Sequence, residues 1–400
     1  MKNIKFAFTF LILLAYAPVQ VWASPVIDPV LGTDLAKLTV FAHTYSSTGA
    51  NSEVWGSISS GDVATTGANS KVSGNMSSVN ASNTGGGGAT VDGYVKSGGV
   101  TTTGAVAVVG RNLTSNEAAT IGDHAKVVGN IVANGVTTTG DSATVGGSIR
   151  SGGTTTVGAH SKVRRNVASR GLLTISKNGG SAGSTSVLQS SPLDAIWREG
   201  LQRAEANDAQ LTIQAQAYLA AFGLGIPLST TMITDTTLLP GIYSASNLST
   251  TAGTILTLDA QNMDNQTWIF NITDYLVTGA STSIQLINAG VGDSIFWNTG
   301  GYAALGATSA FEGSIFAQTY ISVGAGTTVI GVGRSCAGLY SATSYVSTGD
   351  GSVIDSQGCS SAKVAEVPEP ASLSLVLIGF VSMQFAVRRR KLFPCKGRVA

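Results

Sequence analysis

The amino-acid sequence predicts a mainly β fold: a β-solenoid (β-helix) of about 18-residue coils, one long α-helix packed alongside, and an expansion of the coils at the N-terminal side. The repeat is the first observation behind this. Residues 119–136, 137–154 and 155–172 align without gaps at a period of 18. Gly marks one phase at Gly49, Gly67, Gly86, Gly104, Gly122, Gly140 and Gly158, with one extra residue entering between Gly67 and Gly86. Composition is the second. With 50 Gly, 9 Pro, 43% hydrophobic and only 11% charged residues among 400, the chain suits many short strands joined by tight turns, whereas a disordered chain carries more charge or Pro. The third is a single stretch of helical periodicity lying between two coil-like regions.

Taken in order, residues 1–23 read as a signal peptide. Lys2 and Lys5 precede an apolar run from Phe6 to Ala17, and Val21-Trp22-Ala23 offers a small-residue cleavage site before Ser24. Residues 24–188 hold the regular coils. Five positions after each phase Gly stands Val54, Val72, Val91, Val109, Val127, Val145 or Val163; nine positions after it stands Ile58, Met76, Val95, Leu113, Ile131, Ile149 or Val167. Spacings of two and four exclude an amphipathic helix and place these side chains inward on alternating strands. A coil cannot bury its apolar face alone, so stacking follows. Residues 189–224 form the long helix: Ser191-Pro192 supplies an N-cap and a first-turn Pro. Leu193, Trp197, Leu201, Ala204, Leu211, Ala215, Tyr218 and Phe222 recur at helical spacing before Gly223. Residues 225–360 return to coils, with Gly306 and Gly324 repeating the N-terminal phrase 18 residues apart.

The last segment, 361–400, has its own logic. Pro368-Glu369-Pro370 precedes an uncharged, mostly apolar helix over residues 371–387, and Arg388, Arg389 and Arg390 follow. This order resembles the PEP-CTERM sorting signal. The resemblance implies cleavage near the motif by an exosortase, transient membrane insertion through the C-terminal helix, a cell-surface or extracellular destination, and exopolysaccharide as a partner there. The segment from Leu392 to Ala400 departs from that pattern, and a plain membrane anchor is the alternative. Cys395 falls in this tail. Cys336 and Cys359 remain as an even pair, and in an oxidising compartment a disulfide between them closes the last loops.

From Pro192 to Ile354 the chain resembles the microbial ice-binding protein family. The phrases that carry the resemblance are Leu239-Pro240-Gly241-Ile242-Tyr243, Leu256-Thr257-Leu258-Asp259-Ala260, Asn265-Gln266-Thr267-Trp268-Ile269-Phe270, Ser294-Ile295-Phe296-Trp297 and Phe311-Glu312-Gly313-Ser314-Ile315-Phe316. Leu31-Gly32-Thr33 and Phe41-Ala42 resemble the family's opening segment. The resemblance implies a right-handed solenoid with the helix alongside and no enzymatic activity. The stretch from about Ser46 to Ser176 departs from the family. Those coils either extend the family's stack or form a second rod.

A flat, rigid face of hydroxyls and methyls at regular spacing is what adsorption to ice requires. Two residues before the phase Gly stand Ser47, Thr65, Thr84, Thr102, Thr120, Thr138 and Thr156. Alternation puts this column outward, and stacking spaces its hydroxyls by about 4.8 Å. Thr ladders also suit β-structure simply through cross-strand pairing. Beside the column runs a mixed one of Val63, Ser82, Val100, Ala118, Val136 and Thr154; in the family-like part Ser283, Ser322 and Thr328 are candidates, with Ala310 between them. Other chemistry has little to stand on. His43, His124 and His160 form no metal cluster, the latter two lying two coils apart, about 10 Å. No nucleophile elbow or phosphate loop is present. A net charge of +1 gives no nucleic-acid footprint. No catalytic residue, metal or cofactor is therefore expected. The chain reads as an exported, antifreeze-like protein whose partner is an ice crystal surface, or as a structural or adhesive envelope protein without ice affinity.

Overall fold

The computed structural model describes residues 30–194, 196–332 and 337–356, all of them inside one compact unit of residues 26–361. The signal peptide, the sorting tail and the Cys336–Cys359 pair lie outside the described residues.

Each coil is three short strands, one per face. The first coil uses Leu38–Ala42, Ser46–Ser47 and Glu53–Trp55, and its strands pair in parallel with the corresponding strands of the next coil. The two Val and Ile ladders read from the repeat are fully inside: from Val54 to Val163 and from Ile58 to Val167 none exceeds 2% exposure. The small residue at the third position after the phase Gly is buried in every coil, from Ser52 to Ser161. The position before it lies in the left-handed turn region, at φ 54° for Asn51, 55° for Asn69, 63° for Val106, 58° for His124, 55° for Ser142 and 54° for His160. Thus the His124 and His160 phase is a turn position.

The added coils and the family-like coils make a single stack, and the first described coil lies in its middle. Val40 pairs with Leu339, Ser46 with Val346 and Val54 with Ile354, so the last described coil sits on the first on all three faces. The Thr39 and Ser356 hydroxyls bond at 2.6 Å across this junction. Gly56 is required there, because a Cβ on it would stand 1.8 Å from Thr39 Oγ1. From the first coil the chain winds outward to Ser181–Val187 at one end. It then returns along the side as the long helix and winds inward from Ile226–Pro227 at the other end. Both halves advance in one direction, as one continuous solenoid would.

The helix spans Trp197–Ala220 and begins five residues later than Ser191-Pro192 suggested, at Ile196, with no side-chain cap. Its buried stripe also differs: Ala209, Thr212, Ala215, Gln216 and Leu219 face the stack, while Tyr218 and Phe222 are 43% and 45% exposed and pack edge-to-face on each other. The shift has a cause in the surface below. Phe41, Ile269, Phe296, Phe316 and Tyr340 project outward from the strands beneath and fill the space themselves, so the helix meets them with Ala209, Ala215 and Leu219 and not with its aromatic residues. Polar contacts fix both its ends. Arg198 donates to Asn80 Oδ1 at 2.5 Å; at the far end the Asn271 side-chain amide donates to the carbonyls of Leu219 and Gly223 at 2.9 and 3.2 Å. Between these contacts the helix crosses the junction of the first and last coils.

The candidate functional face

One face of the stack is a continuous 14-stranded parallel sheet, eight strands from residues 46–175 and six from residues 231–348. At about 4.8 Å per strand it is about 62 Å long. Its outward central residues, followed strand by strand through the pairing register, are Thr174, Thr156, Thr138, Thr120, Thr102, Asn83, Thr65, Ser47, Ser347, Ser322, Ala304, Val277, Ser249 and Thr231. Eleven of these fourteen carry a hydroxyl, and the column is unbroken across the junction.

Five of the six N-terminal candidates lie on this column: Thr120 and Thr156 are exposed, and Thr65, Thr102 and Thr138 are half-buried. Thr84 does not. It is 3% exposed and points into the core, and Asn83 holds the outward place between Thr65 and Thr102. The reason is where the extra residue enters. Gly85, not Gly86, stacks on Gly67, so the insertion lies after the strand, among Gly85 to Gly88, and not before it. Ser82 is likewise inward, and Ala81 takes its place in the neighbouring column. In the family-like half Ser322 joins the column. Ser283 and Thr328 do not: they pair through Ala310 on a different face and are half-buried there.

A second ladder runs beside the first and is absent from the sequence-based expectation. Tyr275, Tyr302, Tyr320, Tyr345 and Tyr45 stack ring on ring, with centroids 5.4, 4.7, 5.0 and 4.8 Å apart and planes within 18°. Asn247 extends it by donating to the Tyr275 hydroxyl at 3.1 Å. Each ring covers its neighbour's faces, leaving edges and phenol groups toward solvent. Burial, and then the neighbouring phenols, raises the pKa of Tyr320 and Tyr345. A signal for this ladder was present. Tyr45-Ser46-Ser47-Thr48-Gly49, Tyr275-Leu276-Val277-Thr278-Gly279, Tyr302-Ala303-Ala304-Leu305-Gly306, Tyr320-Ile321-Ser322-Val323-Gly324 and Tyr345-Val346-Ser347-Thr348-Gly349 share one pattern of Tyr, in, out, in, Gly. Beyond Tyr45 the ladder continues toward the N-terminal coils as Val63, Ala81, Val100, Ala118, Val136, Thr154 and Leu172.

The face thus presents a hydroxyl column beside a mostly apolar one, on a rigid backbone grid. Among the described residues no group of three metal-ligating side chains occurs, and no helix is long and apolar enough to cross a membrane. His43 Nδ1 lies 2.8 Å from Glu205 Oε1 and serves helix docking.

Comparison with known proteins gives this architecture its relatives. An ice-binding protein of Nostoc sp. (strain HG1) is 34% identical over 161 residues, which cover 38% of this chain and 55% of that protein. An ice-binding protein of Colwellia sp is 36% identical over 107 residues, 26% of this chain and 40% of that one. The chain therefore spans about half the length of these relatives or less. Among solved structures, the ice-binding protein of the Antarctic ascomycete Antarctomyces psychrotrophicus matches at a TM-score of 0.39 and 15% identity, over 80% of this chain and 95% of that one. The family profile described as ice-binding-like matches residues 94–353, more than half of the chain and well into the added coils. On that match the chain belongs to the ice-binding-like family.

Proposed function

We propose that this protein adsorbs to ice through the outer face of its 14-stranded sheet. The observation that carries the reading is the unbroken outward column, hydroxyl-bearing at eleven of fourteen positions, alongside a column of Tyr, Val and Ala. Parallel pairing holds these groups about 4.8 Å apart. Water ordered over hydroxyls and methyls at such a repeat merges with an ice lattice without reorganising the protein. Family membership supports the same ligand. The signal peptide and the Pro368-Glu369-Pro370 tail support export, with exosortase processing and display at the cell surface, where ice is met.

Ice-affinity partitioning and thermal hysteresis of residues 26–361 test the reading. Wild type is expected to enter the ice fraction. A Thr102→Tyr, Thr138→Tyr double variant breaks the flatness of the N-terminal half, and a Ser322→Tyr variant that of the other; each is expected to lose most activity with an unchanged melting temperature. Wild type that stays in the liquid fraction overturns ice binding, and retention of the organism's exopolysaccharide by that same inactive protein would instead support an envelope-matrix role. Mass spectrometry of the mature termini checks processing: the chain is expected to start at Ser24 and to end near Pro368.

A further inference from the structure

The two ends of the stack differ, and one of them is built to pair with itself. The last strand of the added coils, Ser181–Val187, reads Ser-Ala-Gly-Ser-Thr-Ser-Val and holds neither Pro nor charge. Those are the devices by which sheets normally protect a free edge. Its inward positions lie open. One coil back Val167 and Ser169 are 0% and 2% exposed; their partners Thr185 and Val187 are both exposed, Val187 at 72%. Leu173–Ile175, the end strand of the flat face, presents half-buried Leu173 and Ile175 in the same way. Among the described residues the chain does not fold over this end. Leu188 N still bonds Ser169 O at 3.0 Å, and Leu193 N reaches Asn134 Oδ1, so the chain leaves down the side.

We propose that this end docks on the same end of a second copy, about a two-fold axis perpendicular to the rod. Ser181–Val187 pairs on two faces, residues 181–182 against Lys162 and Val163 and residues 184–187 against Asn166 to Ser169, so it wraps the corner opposite the flat face. An axis through Thr174 and that corner lays each end strand antiparallel on its own copy, residue 181 facing 187 and residue 173 facing 175. Isologous contacts of this kind close after two copies. A coil edge that receives another coil without covalent continuity already exists within the molecule, where residues 339–355 meet residues 38–55 on three faces. The opposite end of the rod is blunted. Leu228 N bonds inward to Ser244 O at 2.8 Å, which turns the backbone of Pro227 to the free side, where it has no N–H to offer. Head-to-tail growth is disfavoured there. The dimer places the two flat faces on one side of a doubled rod, and its formation does not depend on what those faces bind.

Sedimentation velocity and small-angle scattering of residues 26–361 test this across concentrations up to about 100 µM, the range in which an interface of one coil edge is expected to associate. Expected are a reversible monomer–dimer equilibrium and a maximum dimension about twice that of the rod, with no larger species. Val187→Lys and Thr185→Lys, at exposed positions of the last strand, are expected to give monomers with unchanged circular dichroism. Ile226→Lys at the other end is expected to remain dimeric. A wild type monomeric throughout, a dimer that survives Val187→Lys and Thr185→Lys, or an assembly that grows beyond two copies and is abolished by Ile226→Lys would each overturn the proposal.

Discussion

Val106 occupies a turn whose φ of 63° suits Gly or Asn and penalises a β-branched side chain. The same turn column holds Asn69 two coils before it and His124 in the next coil, and Val106 is 52% exposed, so no packing is lost on replacing it. Val106→Asn is expected to stabilise the protein by about 1 kcal/mol, read as a rise in the denaturation midpoint. A second prediction at this scale concerns buried hydroxyls. Thr101, Thr137 and Thr155 point inward at 0% exposure, and their hydroxyls have no hydrogen-bond partner among the described residues. Thr137→Val keeps the shape and removes the burial cost of the hydroxyl, with an expected gain of about 1 kcal/mol. Single residues also show how far the sequence reaches. Alternation correctly turned Thr65, Thr102, Thr120, Thr138 and Thr156 outward, because a strand allows only two directions. It failed at Thr84, because a single inserted residue inverts every side chain between its assumed and its real position.

The long helix is the element whose docking carries charge. Asp208 faces Ser59 across the interface, with Asp34, Glu205 and Lys37 nearby; burial chiefly raises its pKa from 3.8 to about 6, against the hydrogen bond from Ser59, which lowers it. On the strand Ala310–Glu312, burial likewise lifts Glu312 from 4.5 to about 7, although Leu286 N donates to its carboxylate at 2.6 Å. In both cases the folded state holds a proton that the unfolded state has already released. Their stabilising contribution is therefore complete below about pH 4 and is lost as pH rises through about 6 and 7. A melting temperature that falls between those limits is expected, and Asp208→Asn is expected to remove the part of that fall centred below pH 6. A melting curve as steep in the variant as in wild type contradicts the assignment. The helix boundary was legible only to within about a turn and a half. Ser191-Pro192 has the composition of a cap, yet the chain is still descending the side of the stack there, held by Leu193 N to Asn134, and helical geometry starts at Trp197. Tertiary placement outweighs a cap worth about 1 kcal/mol.

At the scale of the whole molecule, stability is spread along a line. Each coil touches only its neighbours, and the helix clamps just those near the junction. Deleting residues 137–154, one complete coil in register, is expected to leave a folded protein whose rod is shorter by about 4.8 Å in solution scattering. Loss of the folded signal would show that the coils are not independent units. The core changes character along the rod. The family-like half is filled by Trp268, Phe270 and Trp297, with Phe270 and Trp297 stacked at 3.8 Å, while the added coils hold no buried aromatic ring after Phe41 and are filled by aliphatic side chains with Ser and Thr. The regular coils supply most of the Thr in the outward column.

By itself the sequence determined the coil, its inward ladders, its turns and the presence of one helix, because a period of 18 and strand alternation are local properties that any stack must satisfy. Only the tertiary structure decided that the added coils extend the family-like stack instead of forming a second rod. The pairing of Val40 with Leu339 and of Val54 with Ile354 joins residues about three hundred positions apart. Nothing in either segment's own pattern marks it as the partner of the other, since every coil edge offers the same backbone groups. The long return helix is what brings those two edges together, and with them the hydroxyl column and the tyrosine ladder become one face.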